Sequence, residues 1–421
     1  MRLKGARILQ GLGKADMEAL IIGGGIGGLT AALFLHQKGI GVRVFEAVPQ
    51  IRELGVGINS LPHALRELDR LGLLDDVVAA GIPTLELAYF NKHGQLIWAE
   101  PRGLKAGYKW PQVSINRGRL QGVLLKAAQQ RIGEDRIKAG HRFVGLEEKG
   151  ERVIARFENG TSAEGDILIG ADGIHSAVRK LFYPNQTPHY SGTCMWRSTS
   201  IGKPFRTGAT MAVIGHHMQK FTTYPITPAD ADGNAVINWL ARIPVPELPG
   251  PEDWNALGTL DDIVKHYEDW RFDWLDVPAL MKRAKDVYVY PMIDRDPVPQ
   301  WTFGRATLLG DAAHPMYPIG SNGGSQAILD ASALGTALGQ NMGDPLKGLA
   351  AYEAARRPAT ETVVQANRGF GPEVVMEWAE QRAPGGFKGI EDVISPDELE
   401  QVATRYRQAA GFDKERLNAS A

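Results

Sequence analysis

Hydrophobic positions along the chain change period several times, and each period predicts an element. Ala19–Ile22 is a short apolar run that predicts a buried strand. Ile26–Lys38 keeps apolar residues at helical spacing and meets Gly39, a helix stop. Val42–Glu46 alternates as a second strand. Strand, helix and strand in that order make one βαβ unit, so the sheet begins parallel. Pro62–Leu74 predicts an amphipathic helix ending near Gly72. Residues 85–113 alternate around a turn at Gly94 and predict hairpin strands. A helix is expected over 119–131, and a hairpin over 152–170 that closes in the apolar strand Asp166–Gly170. From about 185 to 290 the chain is rich in Trp, Tyr and Pro with alternating positions, which predicts a mostly antiparallel sheet. Ala306–Leu309 returns to a buried strand and Ser325–Gln340 to a helix. Residues 346–380 read as polar helix, and a short helix near 396–408 interrupts a tail rich in glycine and charge.

Composition narrows what such a chain can do. Its 421 residues suggest two or three domains. With 47 Lys+Arg against 48 Asp+Glu, the formal net charge of -1 gives no reason to expect nucleic acid or an anionic membrane as partner. Cys194 is the only cysteine, so no internal disulfide can form, no cysteine metal site exists, and a cytoplasmic location is expected. The uncharged stretch Ala19–Leu35 mimics a signal peptide or membrane helix, but glycines at 23, 24, 25, 27 and 28 break it into strand, turn and helix. Residues 1–16, basic and then Gly-rich, read as a leader or an alternative start. No other stretch is long and apolar enough to span a bilayer.

Gly23-Gly24-Gly25-Ile26-Gly27-Gly28 then gains meaning. It matches the G-x-G-x-x-G dinucleotide fingerprint, with a strand before it and a helix after it. Gly23 permits the tight turn, Gly25 lets backbone approach a pyrophosphate, and Gly28 allows helix and strand to pack closely. N–H groups at the helix start attract phosphate. Glu46, at the end of the second strand, is placed to bind a ribose hydroxyl, and an acid there disfavours a 2′-phosphate. A plain Gly-rich turn is the bland alternative. The motif does not distinguish FAD from NAD.

Two later segments carry more. Gly170-Ala171-Asp172-Gly173 leads into Ile174-His175-Ser176-Ala177-Val178-Arg179, and Gly310-Asp311-Ala312-Ala313-His314-Pro315 follows the strand at 306–309. With them the sequence resembles the class A flavoprotein aromatic hydroxylases, the family of para-hydroxybenzoate and salicylate hydroxylase, over about 18–370. In that family these are the DG and GD motifs. Glu53-Leu54-Gly55-Val56-Gly57-Ile58-Asn59, Pro101-Arg102-Gly103 and Tyr290-Pro291-Met292 are similar to its phenazine-hydroxylating members.

The resemblance implies an α/β fold, a Rossmann-like FAD-binding domain of glutathione-reductase type with an inserted, mostly antiparallel β-sheet substrate domain and C-terminal helices. The FAD-binding parts are expected at 17–84, 114–184 and 291–345. The substrate domain is expected at 85–113 and 185–290, and the C-terminal helical region at 346–421. FAD contacts are implied for Gly23, Gly25, Gly27, Gly28, Glu46, Gly57 and Ile58, and for Arg117 and Gln121 at the phosphates. Asp311 is implied at the ribityl or ribose hydroxyls. Arg52 resembles an arginine at the adenosine or NAD(P)H side, with a surface cation as the alternative. Asp172 and Gly173 belong to the DG motif, which holds loops near the pyrophosphate, and a strand-end turn is the alternative for Asp172. The segment from Pro315 is implied to wrap the flavin ring, with N–H groups of Gly320, Ser321, Asn322 and Gly323 facing its N1–C2=O edge. The family more often has Gly-x-Gly-x-Asn there, so the register of single contacts differs.

The implied activity is monooxygenation. NADH or NADPH reduces FAD, O₂ adds at C4a, and the hydroperoxyflavin hydroxylates a phenol, aromatic carboxylate or fused heteroaromatic, with or without decarboxylation. Arg197 is a candidate for a substrate carboxylate or a structural ion pair, and Tyr224 for a pocket wall or a core aromatic. His314 reads as packing more than base, and His217 and Met218 stay undecided. No metal is expected, and the protein is expected as monomer or homodimer. A halogenase of this fold needs Trp-x-Trp-x-Ile-Pro, which Asn238-Trp239-Leu240-Ala241-Arg242-Ile243-Pro244 does not supply. A reductase or dehydrogenase without oxygen transfer is the main alternative, and a flavin-binding sensor a further one.

Overall fold

A computed structural model describes residues 17–51, 55–247 and 256–419. Residues 1–16 and Arg52, Glu53 and Leu54 lie outside them. The chain opens with β1 (Glu18–Ile22), α1 (Ile26–Gln37) and β2 (Gly41–Phe45). β1 pairs parallel with β2, as the βαβ pattern predicts. The sheet extends on its other side through 167–170 and 306–308, both parallel, to a short antiparallel edge at 302–303. Strands buried on both faces read as continuous apolar runs, and Ala19, Leu20, Ile21, Ile167, Leu168 and Ile169 are fully buried.

A second sheet has seven strands, in the order 288–294, 189–202, 235–244, 219–225, 210–216, 86–90, 96–101. It is antiparallel except where 210–216 runs parallel to 86–90. The 86–101 hairpin therefore joins a sheet whose other strands lie between 189 and 294. One face of this sheet packs Trp239, Phe221, Tyr267 and Trp270 into a separate core. The opposite face turns toward the chain segment that follows residue 310.

Several expectations need correction. The helix expected over 62–74 is two helices, α2 (Pro62–Arg70) and α3 (Leu74–Ala80), because Gly72 takes φ +67° between them. The hairpin expected over 85–113 is confined to 86–101, and Val113 instead begins a strand, 113–116, that pairs with β3 (Gly57–Ser60) in a small sheet of its own. The next helix, α4, begins at Arg117 rather than 119, because Asn116 caps it by accepting from the N–H groups of Gly118 and Arg119. The 152–157 strand also pairs with 143–149, a strand whose alternation gave no sequence signal. The polar helix divides at Gly369–Gly371 into 345–368 and 374–382, and a last short helix, 414–419, follows 396–409.

Candidate active site

The glycine turn is shaped by what would collide with side chains. At Gly23, φ is +109° and a Cβ would lie 2.3 Å from the carbonyl oxygen of Ala171. At Gly28 a Cβ would lie 2.0 Å from the oxygen of Gly23, and at Gly27 2.8 Å from Leu309. Gly25 is different, since nothing lies within 4 Å of its Cβ direction. Three glycines thus serve internal packing, and Gly25, the N-cap of α1, faces open space. Glu46 accepts from the N–H of Gly24 (2.7 Å) and of Val48 (3.0 Å), which fixes its carboxylate under the turn. Gln121 donates to the carbonyl of Gly24 (2.7 Å) and, with Ile51, Gly118 and Lys126, lines a cavity of about 200 Å³. Gln121 thus ties the turn to the wall of this recess.

Asp311 follows the 306–308 strand. Its side chain reaches solvent, yet protein surrounds it closely enough that burial pushes its carboxyl up, opposed by the charges of His314 and Arg117. Gly323, the first residue of α6 (Gly323–Gly339), has its Cβ direction 3.9 Å from the Asp311 carboxylate. Gly320 (φ +63°) and Ser321 (φ +58°) hold the left-handed bend before that helix. Pro315 is buried.

Arg197 stands on the second sheet's inner face. It donates to the carbonyl of Gly57 (3.0 Å) and lies 5.6 Å from the Tyr290 ring centre. Gly57 in turn donates to Asn238 (2.6 Å), whose side chain would collide with any Cβ there. Ile58 is half-buried. Tyr224 is buried; burial pushes its phenol up to about 12, against the Arg197 charge and a hydrogen bond with Asn59. Arg117, exposed at the start of α4, acts electrostatically on Asp311, on Arg197 and on Tyr290. Arg117 is thus within electrostatic reach of both the acid after residue 310 and the sheet face.

A family model described as an FAD binding domain matches residues 16–367. A phenazine 1,6-dicarboxylic acid hydroxylase, PhzS, of Lysobacter antibioticus is 45% identical over 363 residues, covering 83% of this chain and 89% of the relative. The chain belongs to the class A FAD-dependent aromatic hydroxylases. A 3-hydroxybenzoate 6-hydroxylase of Polaromonas naphthalenivorans is 30% identical over 368 residues (85% of this chain, 88% of that one). Among solved structures, a salicylate hydroxylase substrate complex superposes with a TM-score of 0.73 at 21% identity, covering 97% of this chain and 98% of that one. Klebsiella pneumoniae HpxO with FAD and uric acid gives a TM-score of 0.71 at 24% identity, covering 96% and 95%. These two likenesses are of fold.

In this hydroxylase the two acidic motifs are tied together by residues the sequence did not single out. Asp172 accepts from the Ser176 hydroxyl and from the N–H groups of Ala177 (2.7 Å) and Val178 (3.2 Å), so its carboxylate holds the start of α5 (Ala177–Phe182). Gly173 makes the bend between them with φ +77°. From α5, Arg179 donates to the carbonyls of Ala312 (2.9 Å) and Ala313 (2.6 Å), directly after Asp311. Asp330 secures the same turn from α6: it accepts from Gly310 N–H (3.1 Å), pairs with His314 (2.5 Å) and receives Arg356 (2.7 Å). His314 is thereby a packed partner of Asp330. Asn322 is fully buried and donates to the hydroxyl of Tyr406 (2.9 Å), so its side chain faces the C-terminal helix 396–409. Tyr406 also donates to Asn367 (2.8 Å) and to the carbonyl of Ile319 (3.2 Å). His217 pairs with Glu377, and Met218 is exposed. Trp239 belongs to the outer core, bonded to Ser200. No helix among the described residues is long and apolar enough to cross a membrane.

Proposed function

We propose that this hydroxylase acts on an aromatic ring carrying an anionic substituent, bound between the 315–324 segment and the sheet face of Arg197 and Tyr224. The observation that carries the reading is the shared electrostatic neighbourhood of Arg117, Asp311 and Arg197. It supports a cofactor cleft and an anion-binding wall that adjoin. The relatives' substrates support it too, since both a phenazine dicarboxylic acid and 3-hydroxybenzoate carry carboxylates.

FAD fits the residues present: an open Gly25 at a helix start, Glu46 beneath the turn, the recess beside Gln121, and the solvent-reached Asp311. Bound there, FAD supplies hydride acceptance from NADH or NADPH and activation of O₂. The chain's own residues do the rest. Asp311 and Glu46 accept hydroxyl hydrogen bonds, which a carboxylate does without competing donors. The N-terminus of α6 favours negative charge at the edge of the ring system it faces. Arg197 holds the substrate anion and thereby orients the ring. Tyr224, with its raised pKa, stays protonated at neutral pH and walls the pocket. Leu240, Met195 and Tyr290 keep water from the reacting space. The single, buried and unpaired Cys194 supports a reducing, cytoplasmic setting.

The test is a panel of aromatic acids, phenols and fused heteroaromatics offered to the FAD-loaded protein. Both NAD(P)H oxidation and oxygenated product are measured. Aromatic acids are expected to accelerate oxidation and to be hydroxylated. Acceleration without any oxygenated product would instead mean a reductase, and no acceleration by any compound would remove the reading.

A further inference from the structure

The sheet face that carries Arg197 carries a second arginine, to which the proposed function gives no task. Arg242 stands opposite Met195 on one neighbouring strand and opposite Lys220 on the other. Arg197 stands opposite Leu240. The two arginines are therefore diagonal neighbours on one face, with stems about 7–8 Å apart. Arg242 is only 3% exposed, and neither its Nε nor its Nη2 has a hydrogen-bond partner; the Nε of Arg197 has none either. Buried guanidinium N–H groups without acceptors are costly, and a site that receives an anion removes the cost.

The carboxylates nearest Arg242 are engaged elsewhere. Glu373 accepts from Lys220, and Glu377 accepts from the backbone N–H and the ring of His217. Their charges make the buried cation tolerable but leave its N–H groups unmatched. Toward the 315–324 segment Arg242 faces Tyr317. Met195 and Leu240, the cross-strand partners of Arg242 and Arg197, belong to an apolar cluster with Tyr290, Tyr317 and Ile319. Two cations beside one apolar cluster match an apolar ring system that carries two acids.

We infer that Arg197 and Arg242 are paired anchors for two carboxylates on one fused-ring aromatic substrate, so that the preferred substrate class is the aromatic diacid. This rests on the hydroxylase reading above. Dissociation constants are measured by perturbation of the flavin absorbance of the FAD-loaded protein, with phenazine-1,6-dicarboxylate and phenazine-1-carboxylate as probes. The wild type is expected to bind the diacid about tenfold or more tighter, the worth of a hydrogen-bonded charge. Arg242→Met should erase that preference, and Arg242→Lys should restore part of it. A preference that survives Arg242→Met overturns the inference. So does a wild type that binds both acids equally, a measurement that needs no variant to fold. Hydroxylation of monoacids without a diacid preference removes this inference alone; failure of every aromatic acid to stimulate NAD(P)H oxidation removes the hydroxylase reading with it.

Discussion

Asp330 offers a way to loosen the turn at Asp311 without altering any residue proposed to touch cofactor or substrate. Its carboxylate is fully buried and accepts from Gly310, His314 and Arg356. Burial alone would raise its pKa, but His314 and Arg356 overcome burial and hold it down at about 2. An unfolded aspartate titrates near 3.9. The gap of about two units corresponds to roughly 2–3 kcal/mol. Because the folded value is the depressed one, this stability is complete above about pH 4 and is lost as the pH falls toward about 2. Asp330→Asn keeps the shape and removes the charge. It also leaves Arg356, whose side chain is 13% exposed, without its carboxylate. The expected loss at pH 7 is thus nearer the roughly 3–5 kcal/mol of breaking one side of a buried pair. Urea titrations of wild type and variant, followed by tryptophan fluorescence, measure it. The gap between them should be wide at pH 7 and narrow as the pH falls from about 4 toward about 2. Equal midpoints at pH 7 would refute the reasoning, and a gap that persists in acid would refute its electrostatic part. The variant should also retain less FAD on dilution, since Gly310 immediately precedes Asp311.

Three further outcomes follow from the same geometry. Asp311→Ala removes the carboxylate proposed for the cofactor hydroxyls and should weaken FAD binding about tenfold or more, read from flavin fluorescence on dilution; full flavin retention would contradict the assignment. Tyr406→Phe strips the hydroxyl shared by Asn322, Asn367 and Ile319. It should cost about 1–3 kcal/mol in urea and raise the share of H₂O₂ formed per NAD(P)H consumed, and a variant unchanged in both would show that Tyr406 does not position the segment. Gly320→Ala would set a Cβ 1.9 Å from the Tyr406 hydroxyl at φ +63°. Strain of about 1–2 kcal/mol plus the clash should lower melting temperature and flavin content together, and wild-type values for both would dismiss the contact.

What could be read in the sequence was what local backbone geometry encodes. The turn at 23–28 was legible because a nucleotide turn needs glycine at fixed offsets, and Gly23, Gly28 and Gly25 have the packing or openness those offsets require. The βαβ order and the antiparallel middle sheet were legible because their hydrophobic periods differ. The acids of the two later motifs were visible, but their partners were not. Arg179 reaches carbonyls 133 and 134 residues away. Asn322 meets a tyrosine 84 residues on. Such pairs leave no local pattern.

The substrate wall was hidden for another reason. Alternation reveals an inward face only when the other face is wet. The strand 235–244 is covered on both sides: Trp239 and Ala241 enter the outer core, while Asn238 and Arg242 are buried on the side of Gly57 and Tyr317. With both faces buried, Arg242 reads in sequence as an interruption of an apolar strand rather than as half of a pair with Arg197. Only the register, Arg197 opposite Leu240 and Arg242 opposite Met195, places the two cations on one face. If the two arginines anchor substrate as proposed, this register is what sets them side by side. A one-residue slip of 235–244 would leave the glycine turn and the acid of the 310 turn intact while moving Arg242 to the outer core.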